Sequence, residues 1–166
     1  VEFGAARIGH GVRVRQDEKL MNQLAQKHIC LEMCPTSNYQ TRAVEDMSQY
    51  PIREFLKRGL CVTVNTDDMA ISRTNIQKEF AYLREFLGLT EVEEEQLMEN
   101  AIQSAFTTQE RKDELRKVTD EYYYIAKIYE DCGLVEEANE IKDKTNERAD
   151  TIYNSILIGL SALKSV

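Results

Sequence analysis

The chain has 166 residues, 42% of them hydrophobic and 30% charged, with a formal net charge of -8. This composition is globular rather than disordered, and no apolar run approaches the roughly 20 residues a membrane span requires. Residues 1–106 carry 12 Lys/Arg against 16 Asp/Glu and residues 107–166 carry 9 against 13, so neither part offers the basic stripe that nucleic acid binding needs.

The opening "VEFGAAR" reads as the tail of an element already under way, and so as part of a longer protein. The first apolar run, "ARIGHG", predicts a brief strand. Asp17 is placed to cap a following helix with Leu20, Met21, Leu24 and Ala25 on one stripe. A second strand, "ICLEMC" at 29–34, ends in "PTSN". Pro51 then opens a helix that buries Ile52, Phe55 and Leu56 and stops at Gly59. A third strand, "LCVTVN", runs into Asp67 and Asp68. Strand, helix, strand, helix, strand with short connections is the signature of parallel βα units. Three parallel strands with open edges imply a larger sheet.

Beyond the third strand the pattern is helical. Ile76, Phe80, Leu83 and Leu87 form one stripe that Gly88 ends. The next helix opens on a capping box, Thr90 with Glu93, and gathers its acids in the first turn, so this acidic run is a helix start rather than a calcium loop. Residues 109–166 read as a separate helical extension of the 1–108 part. Leu115, Val118, Tyr122, Ile125, Tyr129 and Cys132 step by three and four. Gly133 breaks the pattern, and Val135, Ala138, Ile141, Thr145, Ala149, Ile152, Ile156, Leu160 and Leu163 resume it. Two amphipathic helices joined at a glycine predict an antiparallel hairpin, packed on its own domain or pairing copies of the chain as a homo-oligomer. The four cysteines, at 30, 34, 61 and 132, contain no CxxC pair and read as small buried or reduced residues of a reducing cytosol.

Polar residues gather where each strand ends: His10, then Thr36-Ser37-Asn38, then Asn65-Thr66-Asp67-Asp68. In βα barrels and open α/β sheets that is the end where chemistry is placed. His10 stands between two glycines, which leaves its imidazole uncrowded, whereas His28 at a helix-to-strand junction reads as structural. Adjacent acids on extended backbone point in opposite directions, so one of Asp67 and Asp68 can coordinate a metal while the other bonds a ligand. An Asx turn or helix cap is the alternative. Asp67 with His10 would not complete a metal site, which needs three or more ligands.

The blocks "ARIGHGVR", "LEMCPTSNYQT", "YPIREFLKRGLCVTVNTDD" and "NAIQSAF", in that order over about residues 1–115, closely resemble the C-terminal part of the adenosine deaminase family. The resemblance implies an α/β fold, a (β/α)8 TIM barrel of the amidohydrolase type, to which this segment contributes about three C-terminal βα units. It implies a zinc-dependent enzyme that hydrolyses the 6-amino group of adenosine to inosine and ammonia, with a purine nucleoside as its small-molecule partner; the cysteines, as above, place it in the cytoplasm. Asp67 matches the family's zinc-ligand aspartate. Asp68 matches the aspartate that contacts the purine ring and hydrogen-bonds the attacking hydroxide, and His10 the histidine that orients and stabilises it. Asn65, Thr66 and the "CPTSN" segment stand where supporting residues would fix those groups. The family's HxH pair, the histidine of its HAGE-like block and the glutamate beside it have no match here, so the chain alone is expected to be inactive. Met69 stands where proline is common, and the hairpin exceeds the family's usual tail. Family relatives that act on adenine or N6-substituted AMP, and a noncatalytic remnant with an oligomerising hairpin, are the alternative readings.

Overall fold

Three short strands, β1 (Arg7–Gly9), β2 (Cys30–Met33) and β3 (Val62–Val64), form a parallel sheet in the order β1-β2-β3 in the computed structural model, which describes residues 4–144. Ile8, Leu31 and Val62 stand in register, as do Gly9, Glu32 and Thr63. Because successive side chains on a strand point to opposite faces, Ile8, Leu31, Met33, Val62 and Val64 share one face. That face is apolar, and Leu31, Met33, Val62 and Val64 are buried. The other face is polar: Arg7 Nε lies 3.3 Å from Glu32 Oε1, and Cys30 Sγ lies 3.9 Å from Thr63 Oγ1.

The connections follow local chemistry. Helix α1 (Glu18–Gln26) starts where Asp17 accepts a hydrogen bond from Leu20 N at 2.9 Å, and it buries Met21 and Leu24. The "PTSN" segment does not leave β2 as a loop. Pro35 opens a short helix, α2 (Pro35–Gln40), with the proline in its first turn. Helix α3 (Ile52–Lys57) follows Pro51, buries Ile52 and Phe55, and leaves Leu56 half-buried. It ends at Gly59 in the left-handed region at φ +74°. After β3 comes a four-residue helix, α4 (Met69–Ser72), and then α5 (Ile76–Leu87), which buries Ile76, Glu79, Phe80 and Leu83 and ends at Gly88. Helix α6 (Glu91–Ser104) has the expected capping box. Thr90 N donates to Glu93 Oε2 at 2.9 Å, and Glu93 N to Thr90 Oγ1 at 3.3 Å. Its Asn100 donates from Nδ2 to Val62 O at 2.9 Å. Since Asn65 N and Cys61 O bond across to β2, the alternation of the ladder turns Val62 O to the open edge of β3. Asn100 therefore satisfies a carbonyl that a neighbouring strand would otherwise take.

The chain divides into two compact units, 1–104 and 105–166. In the second, Thr108 caps helix α7 (Gln109–Asp131). Gly133, at φ +81°, ends it, and a further helix, α8, covers 135–144. Leu134 N donates to Tyr129 O and Gly133 N to Glu130 O, the paired bonds of a glycine-terminated helix. Lys142 Nζ lies 2.6 Å from Glu130 Oε1. In one straight helix residues twelve apart would stand about 18 Å apart, so the chain reverses at Gly133. Thr145, Ala149, Ile152, Ile156, Leu160 and Leu163 of the expected stripe lie outside the described residues. Of the others, Leu115 and Ala138 are buried, whereas Ile125, Tyr129 and Val135 are exposed. All four cysteines are free; Cys30 and Cys34 are buried and Cys61 is half-buried. Cys132, in the turn after α7, is exposed and free, which fits the reduced reading rather than the buried one.

Candidate active site at the strand ends

Two residues in left-handed backbone bring the site together. His10 has φ 59° and Asp67 φ 57°. A residue other than glycine in this region costs on the order of 1 kcal/mol, less for aspartate, whose short side chain tolerates it. His10 is pinned by its own N, which donates to Glu32 O at 2.8 Å and extends the β1–β2 pairing by one residue. The next residue must be glycine. Gly11 has φ +72°, and a Cβ there would meet Leu31 Cδ2 at 2.8 Å.

With both backbones so turned, His10 Nε2 stands 3.8 Å from Asp67 Oδ2, each side chain a little over two-fifths exposed. That distance exceeds a direct hydrogen bond and leaves the two groups facing a common point. The first turn of α2 supports each of them. Ser37 Oγ donates to Asp67 Oδ2 at 2.7 Å, and Asn38 Nδ2 lies 2.9 Å from His10 Nδ1. Behind Asn38, the Tyr50 hydroxyl donates to Asn38 Oδ1 at 2.8 Å. Both Asn38 and Tyr50 are almost fully buried. His10, Ser37, Asn38 and Asp67, with Val12, Val14 and Leu20, line a cavity of about 560 Å³, a size ordinary for a small-molecule site.

Asp68 takes a different place. Its Oδ1 accepts from Ile71 N at 2.8 Å and caps α4, and the residue does not line this cavity. The two adjacent acids thus have separate surroundings. His28, at φ 50° and exposed, lies at the other end of the strands. There it lines a second cavity of about 590 Å³ with Leu60, Cys61 and Asn100.

Two further groups shape the site. Glu79 is fully buried on α5. It accepts from Thr36 N at 2.9 Å and from Thr74 Oγ1 at 2.5 Å, tying the first turn of α2 to the segment after α4. Burial raises its pKa above the ordinary carboxylate range. A signal for it was present in the sequence: a glutamate three residues after Ile76 falls on the apolar stripe. Cys34, beside it, is pushed up to about 12 by burial and by the carboxylates of Asp67, Glu79 and Glu32. It is a neutral thiol there, unsuited to act as a thiolate ligand or nucleophile.

Among the described residues no group of three or more His, Cys, Asp or Glu side chains could hold a metal ion. Asp67 does fit as one ligand. Its carboxylate is hard, partly exposed at the cavity mouth, and held in orientation through one oxygen by Ser37. Among the described residues no helix is long and apolar enough to cross a membrane.

The family model for adenosine deaminase matches residues 1–122. The adenosine deaminase of Haemophilus ducreyi is 47% identical over 112 residues, covering 68% of this chain and 33% of that protein. The aminodeoxyfutalosine deaminase of Streptomyces coelicolor is 38% identical over 122 residues, covering 74% and 32%. The chain thus spans about a third of the length of the curated relatives it matches. Among solved structures, adenine deaminase from Arthrobacter aurescens superposes with a TM-score of 0.63 at 30% identity, over 81% of this chain and 36% of that one. The N6-methyl-AMP deaminase of Arabidopsis thaliana does so at 0.63 and 26%, over 72% and 35%. A zinc-bound amidohydrolase from Burkholderia ambifaria, with a TM-score of 0.61 at 21% identity over 84% and 35%, shares the fold.

Proposed function

Because this chain belongs to the adenosine deaminase family, we propose that it forms part of the catalytic face of a zinc-dependent hydrolase that converts adenosine to inosine and ammonia. The observation that carries this reading is the convergence of His10 and Asp67 on one cavity, each oriented by its own residue of the "CPTSN" turn. The three strands are consecutive staves of a (β/α)8 barrel. The polar face bearing Arg7, Glu32 and Thr63 is the barrel interior, and the apolar face packs outward. This agrees with a sheet that has one apolar and one ion-paired face.

Asp67 would hold the zinc together with ligands from beyond the described residues; the metal supplies a Lewis acid that makes water reactive near neutral pH. Ser37 fixes the rotamer of Asp67, and a fixed carboxylate is a better ligand than a mobile one. His10 presents Nε2 toward the same point and positions the attacking oxygen. Asp68, whose Oδ1 caps α4, is the residue that the family resemblance assigns to the purine ring and the attacking hydroxide. With one such ligand among the described residues, against the three or four that catalytic zinc requires, the chain is expected to be inactive alone.

A chimera in which this chain replaces the matching third of the Haemophilus ducreyi enzyme tests the reading. It is expected to deaminate adenosine, while the chain by itself does not. A folded, zinc-loaded chimera inert toward adenosine, adenine and N6-methyl-AMP alike would overturn it. Adenosine is favoured by the 47% identical relative, and adenine or N6-methyl-AMP by the structural likenesses. The ratio of kcat/KM values decides among them.

A further inference from the structure

We propose that Tyr50 and Asn38 are positioning residues that hold neutral His10 in the tautomer with its proton on Nε2, making it a hydrogen-bond donor at the cavity rather than a base. What the donor acts upon rests on the deaminase reading; the tautomer itself does not.

The inference follows from counting donors outward from the core. The Tyr50 side chain is buried, and burial keeps its hydroxyl protonated, well above the ordinary tyrosine range. Its hydroxyl pairs with Asn38 Oδ1 at 2.8 Å. If the Asn38 amide were turned over, Nδ2 would donate to the phenolic oxygen, and the buried O–H would lose the acceptor it has among the described residues, a penalty of about 1–3 kcal/mol. Tyr50 therefore sets the amide with Nδ2 toward His10. An amide NH2 donates only, so His10 Nδ1, 2.9 Å away, must offer its lone pair. A neutral imidazole has one N–H, which this places on Nε2. Nε2 is the atom facing Asp67 Oδ2 across 3.8 Å.

The pair is rigid enough for the task. Asn38 is 2% exposed, its N donates to Cys34 O, and its O accepts from Val44 N. Tyr50 sits between a 3-10 turn, Met47–Gln49, and Pro51, with its N bonded to Met47 O. The consequence is chemical. A neutral His10 can give a hydrogen bond to an oxygen placed beside Asp67, and it cannot take a proton through the same nitrogen.

Long-range 1H–15N correlation spectra of the 15N-labelled 166-residue chain, recorded at about pH 8.5, above the usual histidine range, read the tautomer directly. The chain has two histidines, so His28→Gln leaves the signals of His10 alone. The expected pattern is a protonated Nε2 and an unprotonated Nδ1. Asn38→Asp, which replaces a donor by an acceptor, should move the proton to Nδ1 and invert the pattern. Tyr50→Phe keeps the ring and removes the anchor, and should give a mixture of tautomers even if Asn38→Asp does not fold. A wild-type ring protonated on Nδ1, or a folded Tyr50→Phe chain with an unchanged pattern, would overturn the proposal. In the chimera, Tyr50→Phe should lower kcat about tenfold with KM little changed. If the chimera is inert while the spectra behave as expected, the deaminase reading fails and the positioning pair stands.

Discussion

Glu79 shows how much a single buried side chain can matter to a site it does not enter. It anchors the backbone of Thr36, and so fixes the turn from which Ser37 and Asn38 reach Asp67 and His10. Its raised pKa means that the folded chain holds the proton more tightly than the unfolded one. The resulting stabilisation is fully present below the unfolded value near 4.5 and is lost as pH rises through the folded value. Glu79→Gln keeps the shape without the titration. Urea unfolding across pH 4–8 should therefore find the variant gaining on the wild type as pH rises through that window, and a pH-independent difference would contradict the account. Sequence alone reached His10 and Asp67 because glycines flank one and a strand ends at the other. It did not single out Glu79, although that residue falls on the apolar stripe three residues after Ile76, and it could not show what Glu79 holds, since Thr36 is 43 residues away.

Elements were legible in proportion to the local chemistry they carry. Asp17, Thr90 with Glu93, Gly59 and Gly88 mark helix ends through caps and left-handed glycines, and each does so in the structure. Helices α2 and α4, of six and four residues, are too short to display a period. Asp68 consequently read as a strand-end acid with an Asx turn or helix cap as the alternative, and the structure shows the cap, on the short α4 rather than on the helix after residue 74. Phe55, fully buried on α3, should cost about 3–5 kcal/mol when changed to alanine. Thr90→Ala should cost about 1 kcal/mol through the lost cap. Urea midpoints of the two variants check this order, and a Thr90→Ala loss equal to that of Phe55→Ala would contradict it.

At the scale of the molecule, a three-stranded sheet with one polar face and open edges is a structure that wants neighbours. Asn100 satisfies one edge carbonyl of β3 in their place. The chain's span of about a third of its relatives accords with that picture. In the second unit Ile125, Ile128, Tyr129, Leu134 and Val135 are exposed. We propose that residues 109–166 pair copies of the chain. Sedimentation equilibrium should then find a dimer, and a strict monomer would remove the idea. Asp67 and His10 divide the labour at the strand ends, and metal content read beside turnover in the chimera separates their roles. Asp67→Ala should lose its zinc, while His10→Ala should keep zinc and lose kcat. Normal zinc and normal deamination in both variants would contradict the account.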